Sequence, residues 1–173
     1  MLILECSKES DPGSEGRFLS HMFNLMEIPH QYVEVRTKRQ LILLLKSTPY
    51  TIIHITTHGS RKKIKNKKRF VGLWTPNGTL KEDNLVLLKN QLKRCTVIST
   101  ACCSADRRFR KAFKKITKCT YYIAPKRAVH FPDSIYFAHI FYHKHLRLNR
   151  SVKQSYEEYD EKHKNPYQFV LTS

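Results

Sequence analysis

Hydrophobic and polar positions alternate along the chain between two periods. "MLILEC" at the start is a short unbroken apolar run, the signature of a strand covered on both faces. The polar turn "SDPGSEG" follows, and then Phe18, Leu19, Met22 and Met26 recur at helical spacing. "QYVEV" reads as a second strand. Thr37 and Gln40 stand at capping-box spacing before a helix through "LILLLK", with Pro49 closing that region. "YTIIHIT" is a third, buried strand. The stretch "HGSRKKIKNKKRF" has no apolar period and reads as a basic loop, and "VGLWTPNGTLK" as a small hairpin turned at Asn77-Gly78.

Thr79 and Glu82 have the spacing of a second capping box, leading a helix through Leu85, Leu88 and Leu92. "TVISTA" is a fourth strand. Phe109, Ala112, Phe113 and Ile116 define one face of a helix, and "TYYIAP" is a fifth strand. From Asp133 to Leu146 apolar residues stand nearly all round the predicted helix, so it should be well buried, with Asp133 as its cap. "SVKQSYEEY" predicts a last helix and "YQFVLT" a last strand. Strands separated by helices imply right-handed βαβ units, hence an α/β fold. The expected sheet is mostly parallel, of about six strands, with helices on both faces. No repeat or linker interrupts the pattern, so residues 1–173 are expected to form one domain.

Composition changes the picture in one respect. The 173 residues are 40% hydrophobic and 27% charged, which is ordinary, but 32 Lys and Arg face 14 Asp and Glu, a net charge of +18. Such a surface suits anionic partners. Seven of the basic residues (Arg61, Lys62, Lys63, Lys65, Lys67, Lys68 and Arg69) crowd the single stretch after His58. They are candidates for binding an acidic protein or nucleic acid, or a plain solvated loop. No apolar run is long enough for a bilayer span, so no membrane partner is expected. The opening residues lack a basic leader and cleavage site, so no secretory signal is expected. Five irregularly spaced cysteines predict reduced thiols and a cytoplasmic location rather than a disulfide framework.

In parallel sheets function gathers beyond the carboxyl ends of strands. The third strand is followed by His58-Gly59 and the fourth by "VISTACCSA", with Cys102 and Cys103 side by side. If those strands are neighbours, His58 can serve as base for a thiol at Cys102, and the backbone N–H groups of Gly59 and Cys102 can form an oxyanion hole. A following helix start would add its dipole in favour of thiolate. Histidine precedes cysteine by 44 residues, the order and nearly the spacing (about 50) of caspases.

Other chemistries fit less well. His54 shares a strand face with His58, yet no ligand-spaced motif supports zinc, and neither metal nor cofactor is expected. Cys102 and Arg108 have the C-x5-R spacing of phosphotyrosine phosphatases, but "CCSADRR" lacks the glycines of a phosphate-cradling loop. Cys103 reads as a packed neighbour. Trp74 reads as packing in the hairpin.

The motifs "IIHITTHG" and "VISTACCSA" resemble the histidine and cysteine motifs of CHAT-domain and other caspase-like cysteine peptidases. "LWTPNGTLKEDNL" and "YYIAP…VHFPDSIYFAHIFYHKHL" resemble the elements that the family places between and after them, so the likeness runs from about residue 50 to 160. It implies a caspase-like three-layer sandwich and a cysteine endopeptidase, with nucleophile Cys102 and base His58. Thr100, Val129, His130 and Asp133 become substrate-pocket candidates. It further implies a protein substrate, a separate activator or sensor protein, and a role in prokaryotic stress, cell-death or antiphage pathways. Two positions depart from the family. Ala105 stands where a glycine is frequent, and Thr100 matches neither the acidic residue of arginine- and lysine-cleaving relatives nor the glutamine of caspases. The competing expectations are a non-enzymatic basic module binding nucleic acid, nucleotide or acidic protein, and a pseudoprotease partner on the same fold.

Overall fold

The computed structural model describes residues 1–173 except Glu9, Pro12, Lys65 and Lys164, with the side chains of Ile64, Lys67 and His163 also outside the description. Five parallel strands, β1 (Leu2–Cys6), β2 (Gln31–Glu34), β3 (Ile52–Thr57), β7 (Thr96–Ser99) and β8 (Tyr121–Pro125), are joined by antiparallel β9 (Phe169–Thr172). They form one sheet in the order β2-β1-β3-β7-β8-β9. All five residues of β1 are buried, as a central strand covered on both faces requires.

Alternate residues of the strands feed two apolar layers. Leu2, Leu4, Ile53, Ile55 and Val97 face α2 (Lys38–Ser47), α3 (Arg107–Thr117) and the 3-10 helix Glu82–Leu88. Ile3, Ile98 and Ile123 face α1 (Glu15–Leu25), α4 (Phe131–Tyr142) and α5 (Val152–His163). The result is the expected three-layer α/β architecture. In the second layer Phe137 stacks on Phe169, ring centroids 3.9 Å apart, and pins the last strand to α4. Truncating either ring would cost about 3–5 kcal/mol.

Local signals explain most helix starts. Thr37 caps α2 by accepting from the Gln40 N–H at 3.0 Å, while the Gln40 side chain accepts from Arg36 N–H, one residue earlier than a reciprocal box requires. Asp106 caps α3 by accepting from the N–H groups of Arg108 and Phe109.

Several expectations are corrected. The helix expected through Leu85, Leu88 and Leu92 is a 3-10 helix that ends at Leu88. The basic loop is a hairpin: β4 (Gly59–Ile64) pairs antiparallel with β5 (Lys67–Thr75), and β5 with β6 (Gly78–Lys81). Lysine masks the strand period, but Asn66 at φ 60° supplies the left-handed turn residue. The second hairpin turns at Pro76-Asn77, one residue early, because Thr75 pairs with Gly78. Thr79 caps nothing: it lies in β6, its hydroxyl 3.0 Å from that of Ser60, and Asn84 instead accepts from the Lys81 N–H. The predicted buried helix begins at Phe131, not Asp133, and changes at Tyr142 into a wider π turn, His143–Arg147. It is buried on one face only, through Phe137, Ala138, Phe141 and Tyr142, and Tyr136 is 49% exposed. On α1, likewise, Phe18 faces outward and Phe23 takes the core position.

Candidate active site

Neighbouring strands β3 and β7 run in parallel register from Ile52↔Thr96 to Ile55↔Ser99, so the segments that follow them leave the sheet at the same edge. They meet there. A Cβ placed on Gly59 would lie 1.9 Å from the carbonyl oxygen of Cys102 and 3.0 Å from its carbonyl carbon. Position 59 therefore admits no side chain, and the glycine after His58 is required by the close approach of the cysteine loop. The site also borders the reversal of strand order at β1 and β3, where doubly wound sheets open a crevice.

The β1–α1 connection uses that crevice. The Asp11 carboxylate lies 2.8 and 3.0 Å from His58 Nε2 and accepts from the Lys8 N–H at 2.7 Å. Its side chain is only 8% exposed, against 29% for His58. With Nε2–H donating to Asp11, the lone pair of His58 lies on Nδ1. Edge-on contacts from Trp74 and Phe131 fix the ring plane, with centroids 5.7 and 5.9 Å away. Lys8 Nζ sits 5.2 Å from the Trp74 ring centroid and ties the connection to the hairpin. Reading the sequence as a bare turn at "SDPGSEG" missed Asp11. The available signal was a carboxylate in the connection after the first strand. Pro12, in the same turn, lies outside the described residues.

The two cysteines are distinguished by what they face. Cys102, half-buried, shares a cavity of about 30 Å³ with His58. Its Sγ accepts from the Val129 N–H and donates to the Val129 carbonyl oxygen, both at 3.4 Å, so the β8–α4 connection lies against the thiol. Cys103 adopts φ 62°, donates its N–H to the Arg127 carbonyl, and faces the hairpin. Burial raises its thiol pKa, opposed by Arg61. The expected helix dipole does not reach Cys102: α3 begins at Arg107, and Asp106 takes its first N–H groups.

Beneath the cavity lies a carboxylate that the sequence reading overlooked. Glu15, in the first turn of α1, is 2% exposed. Its Oε1 lies 3.0 Å from His54 Nε2, and its Oε2 accepts from the hydroxyls of Thr56, Thr100 and Ser134, each at 3.0 Å. His54 Nδ1 meets the Tyr142 hydroxyl at 2.8 Å. The helices α1 and α4, strand β3 and the segment after β7 are thus joined under the site by one polar network. Helix-start acids are common, so nothing in the sequence separated Glu15 from its neighbours.

Of the pocket candidates, Thr100 and Val129 line the cavity and His130 and Asp133 do not. His130 is exposed at the start of α4, and Asp133, two residues into that helix, accepts from the Tyr167 hydroxyl at 2.6 Å instead of capping. Trp74 packs on His58. Arg108 pairs with Glu82 at 2.6 Å and is 81% exposed, so it does not fold over Cys102 as phosphate chemistry would need. Both ring nitrogens of His54 are engaged, and no cluster suited to a metal occurs among the described residues. Arg61, Lys62, Lys63, Lys68 and Arg69 are exposed on β4 and β5. Lys67 belongs to β5 by its backbone, and Lys65 lies outside the described residues. Among the described residues no helix is long and apolar enough to cross a membrane.

No family model matches the sequence, and no curated protein matches it either. Among solved structures the fold is similar to that of protein GSU0716 from Geobacter sulfurreducens, with TM-score 0.54 over 99% of this chain and 91% of that one. At 11% identity the likeness is one of fold alone.

Proposed function

We propose that this chain is a cysteine endopeptidase of the caspase-like, CHAT type, acting on a protein target with Cys102 as nucleophile and His58 as general base. The observation that carries the reading is the seating of Gly59 on the Cys102 carbonyl. It puts a thiol and a histidine oriented by a carboxylate around one cavity at the carboxyl edge of the sheet.

Each group then has a role. As a substrate carbonyl enters, the Cys102 thiol gives its proton to His58 Nδ1 and the sulfur attacks the carbonyl carbon. Asp11 retains the Nε2 proton and stabilises the imidazolium. The N–H of Val129 donates to the sulfur and its carbonyl oxygen accepts from the thiol, so the β8–α4 connection positions Sγ at the cavity. Backbone N–H groups of Gly59 and Cys102 receive the oxyanion. When the C–N bond breaks, the leaving amine takes the proton from His58 and an acyl thioester remains. His58 next accepts a proton from water, whose oxygen attacks the thioester. The acid product departs and the thiol is restored.

Five free cysteines, three of them buried, suit a reducing cytoplasmic setting. A second reading, a basic binding module on the same fold, is favoured by the exposed cations Arg61, Lys62, Lys63, Lys68 and Arg69 of β4 and β5, which form no ion pair among the described residues. It requires that Cys102→Ala leave the protein's biological effect intact.

The test is labelling with an electrophilic peptide probe, mapped by mass spectrometry. The peptidase reading expects modification at Cys102, lost in His58→Ala and kept in Cys103→Ala. Modification at Cys103 instead, or labelling indifferent to His58, sinks it.

A further inference from the structure

A second and larger cleft, of about 360 Å³, opens beside the cysteine pair on its hairpin side. Arg61, Lys68 and Arg69 reach it from β4 and β5, Lys126 from the β8–α4 connection, and Cys103 forms part of its wall. We infer that this cleft binds an acidic segment of the polypeptide substrate, its carboxylates seated among Arg61, Lys68, Arg69 and Lys126. Calling that segment a substrate rests on the peptidase reading; the binding itself does not.

Charge is the first argument. All four cations are exposed, and among the described residues none of them forms an ion pair. The one carboxylate on the cleft, Asp106, is committed through Oδ1 to the first N–H groups of α3. Cations gathered in a concave site focus a positive potential that an anion relieves. Two of them are guanidinium groups, whose planar forks match carboxylates.

Position is the second. Cys103 adjoins Cys102 in the chain, and Arg61 lies close enough to act on the Cys103 thiol. A peptide held at Cys102 therefore passes the mouth of the cleft. The cavity shared by His58 and Cys102, of about 30 Å³, is too small for a run of side chains, whereas the cationic cleft has about 360 Å³, so an acidic run falls on the hairpin side. Single-stranded nucleic acid is the weaker fit. Phe70 is the one aromatic among the described residues lining the cleft, whereas single-strand sites stack successive bases on several rings.

The experiment uses the full chain and a fluorescent decapeptide with four consecutive glutamates, read by anisotropy at physiological salt. The glutamine counterpart and a ten-nucleotide oligothymidylate are run beside it. Arg61→Ser/Lys68→Ser/Lys126→Ser should weaken glutamate-peptide binding by about tenfold or more. Lys46→Ser/Lys93→Ser/Lys115→Ser, which removes the same charge at exposed positions outside the cleft and the hairpin, should change it by about twofold at most. In the unmodified chain the glutamate peptide should also slow iodoacetamide alkylation of Cys103, a readout that depends on no variant. Equal losses in the two triple variants, equal binding of the glutamine peptide, or tighter cleft-dependent binding of the oligonucleotide would each overturn the inference. Because binding needs no catalysis, cleft binding without probe labelling of Cys102 refutes the peptidase, and labelling without cleft binding refutes the cleft.

Discussion

The carbonyl oxygen of Cys102 fills the space where a side chain at Gly59 would stand. Backbone therefore meets backbone between the two loops of the proposed dyad, and neither can shift without moving the other.

Gly59→Ala should accordingly separate the loops. A methyl group driven against backbone at 1.9 Å has no flexible neighbour to yield. The expected cost is about 1–3 kcal/mol, read by denaturant unfolding. Probe labelling of Cys102 should fall further than that instability explains at temperatures where the variant is still folded. An alanine variant labelled at the wild-type rate would mean that the contact does not hold the dyad.

Asp11→Asn preserves shape but removes the charge and the acceptor pair that fixes the His58 proton on Nε2. Labelling or turnover should drop by roughly 100- to 10,000-fold with little change in melting temperature, the signature of a positioning residue. An unaltered rate would separate Asp11 from the chemistry.

Glu15→Gln tests the network below the cavity. The Oε2 atom accepts from three hydroxyls, and an amide nitrogen placed there would oppose donors with donors. Destabilisation of about 2–4 kcal/mol is expected in urea unfolding. A variant as stable as the parent would show that the hydroxyls re-pair elsewhere.

Stability should fall in alkali. Burial pushes the Cys6 thiol up to about 12, and burial likewise raises Tyr32 and Tyr159 to about 12. These groups are held neutral in the folded chain, so their contribution is fully present below pH 9. It is lost as pH rises from about 9 toward 12, where the unfolded chain gives up protons that the folded chain retains. Melting temperature followed from pH 7 to 11 should decline beyond pH 9, and Cys6→Val should flatten the decline.

Much of this protein is written in local pattern. The apolar runs of β1, β3, β7 and β8, the helical spacing of Phe109 and Phe113, and the cap at Thr37 depend on near neighbours. Alternation of strand and helix then leaves few topologies. With the sheet parallel, the pattern alone places His58 and Cys102 at one edge.

What tertiary structure alone decided concerns atoms distant in sequence. The lysine-rich β4 reads as loop because its backbone bonds to β5, and not an apolar face, make it a strand. Asp11 meets His58 across 47 positions, and Glu15 meets Thr100 and Ser134 across 85 and 119. No periodicity encodes such pairings, because they depend on which strands lie adjacent and how each connection turns. The same holds for Cys102 and Cys103. Adjacent and chemically identical in the sequence, they are separated by one left-handed backbone turn, which points one thiol into the cavity of His58 and the other into the cationic cleft.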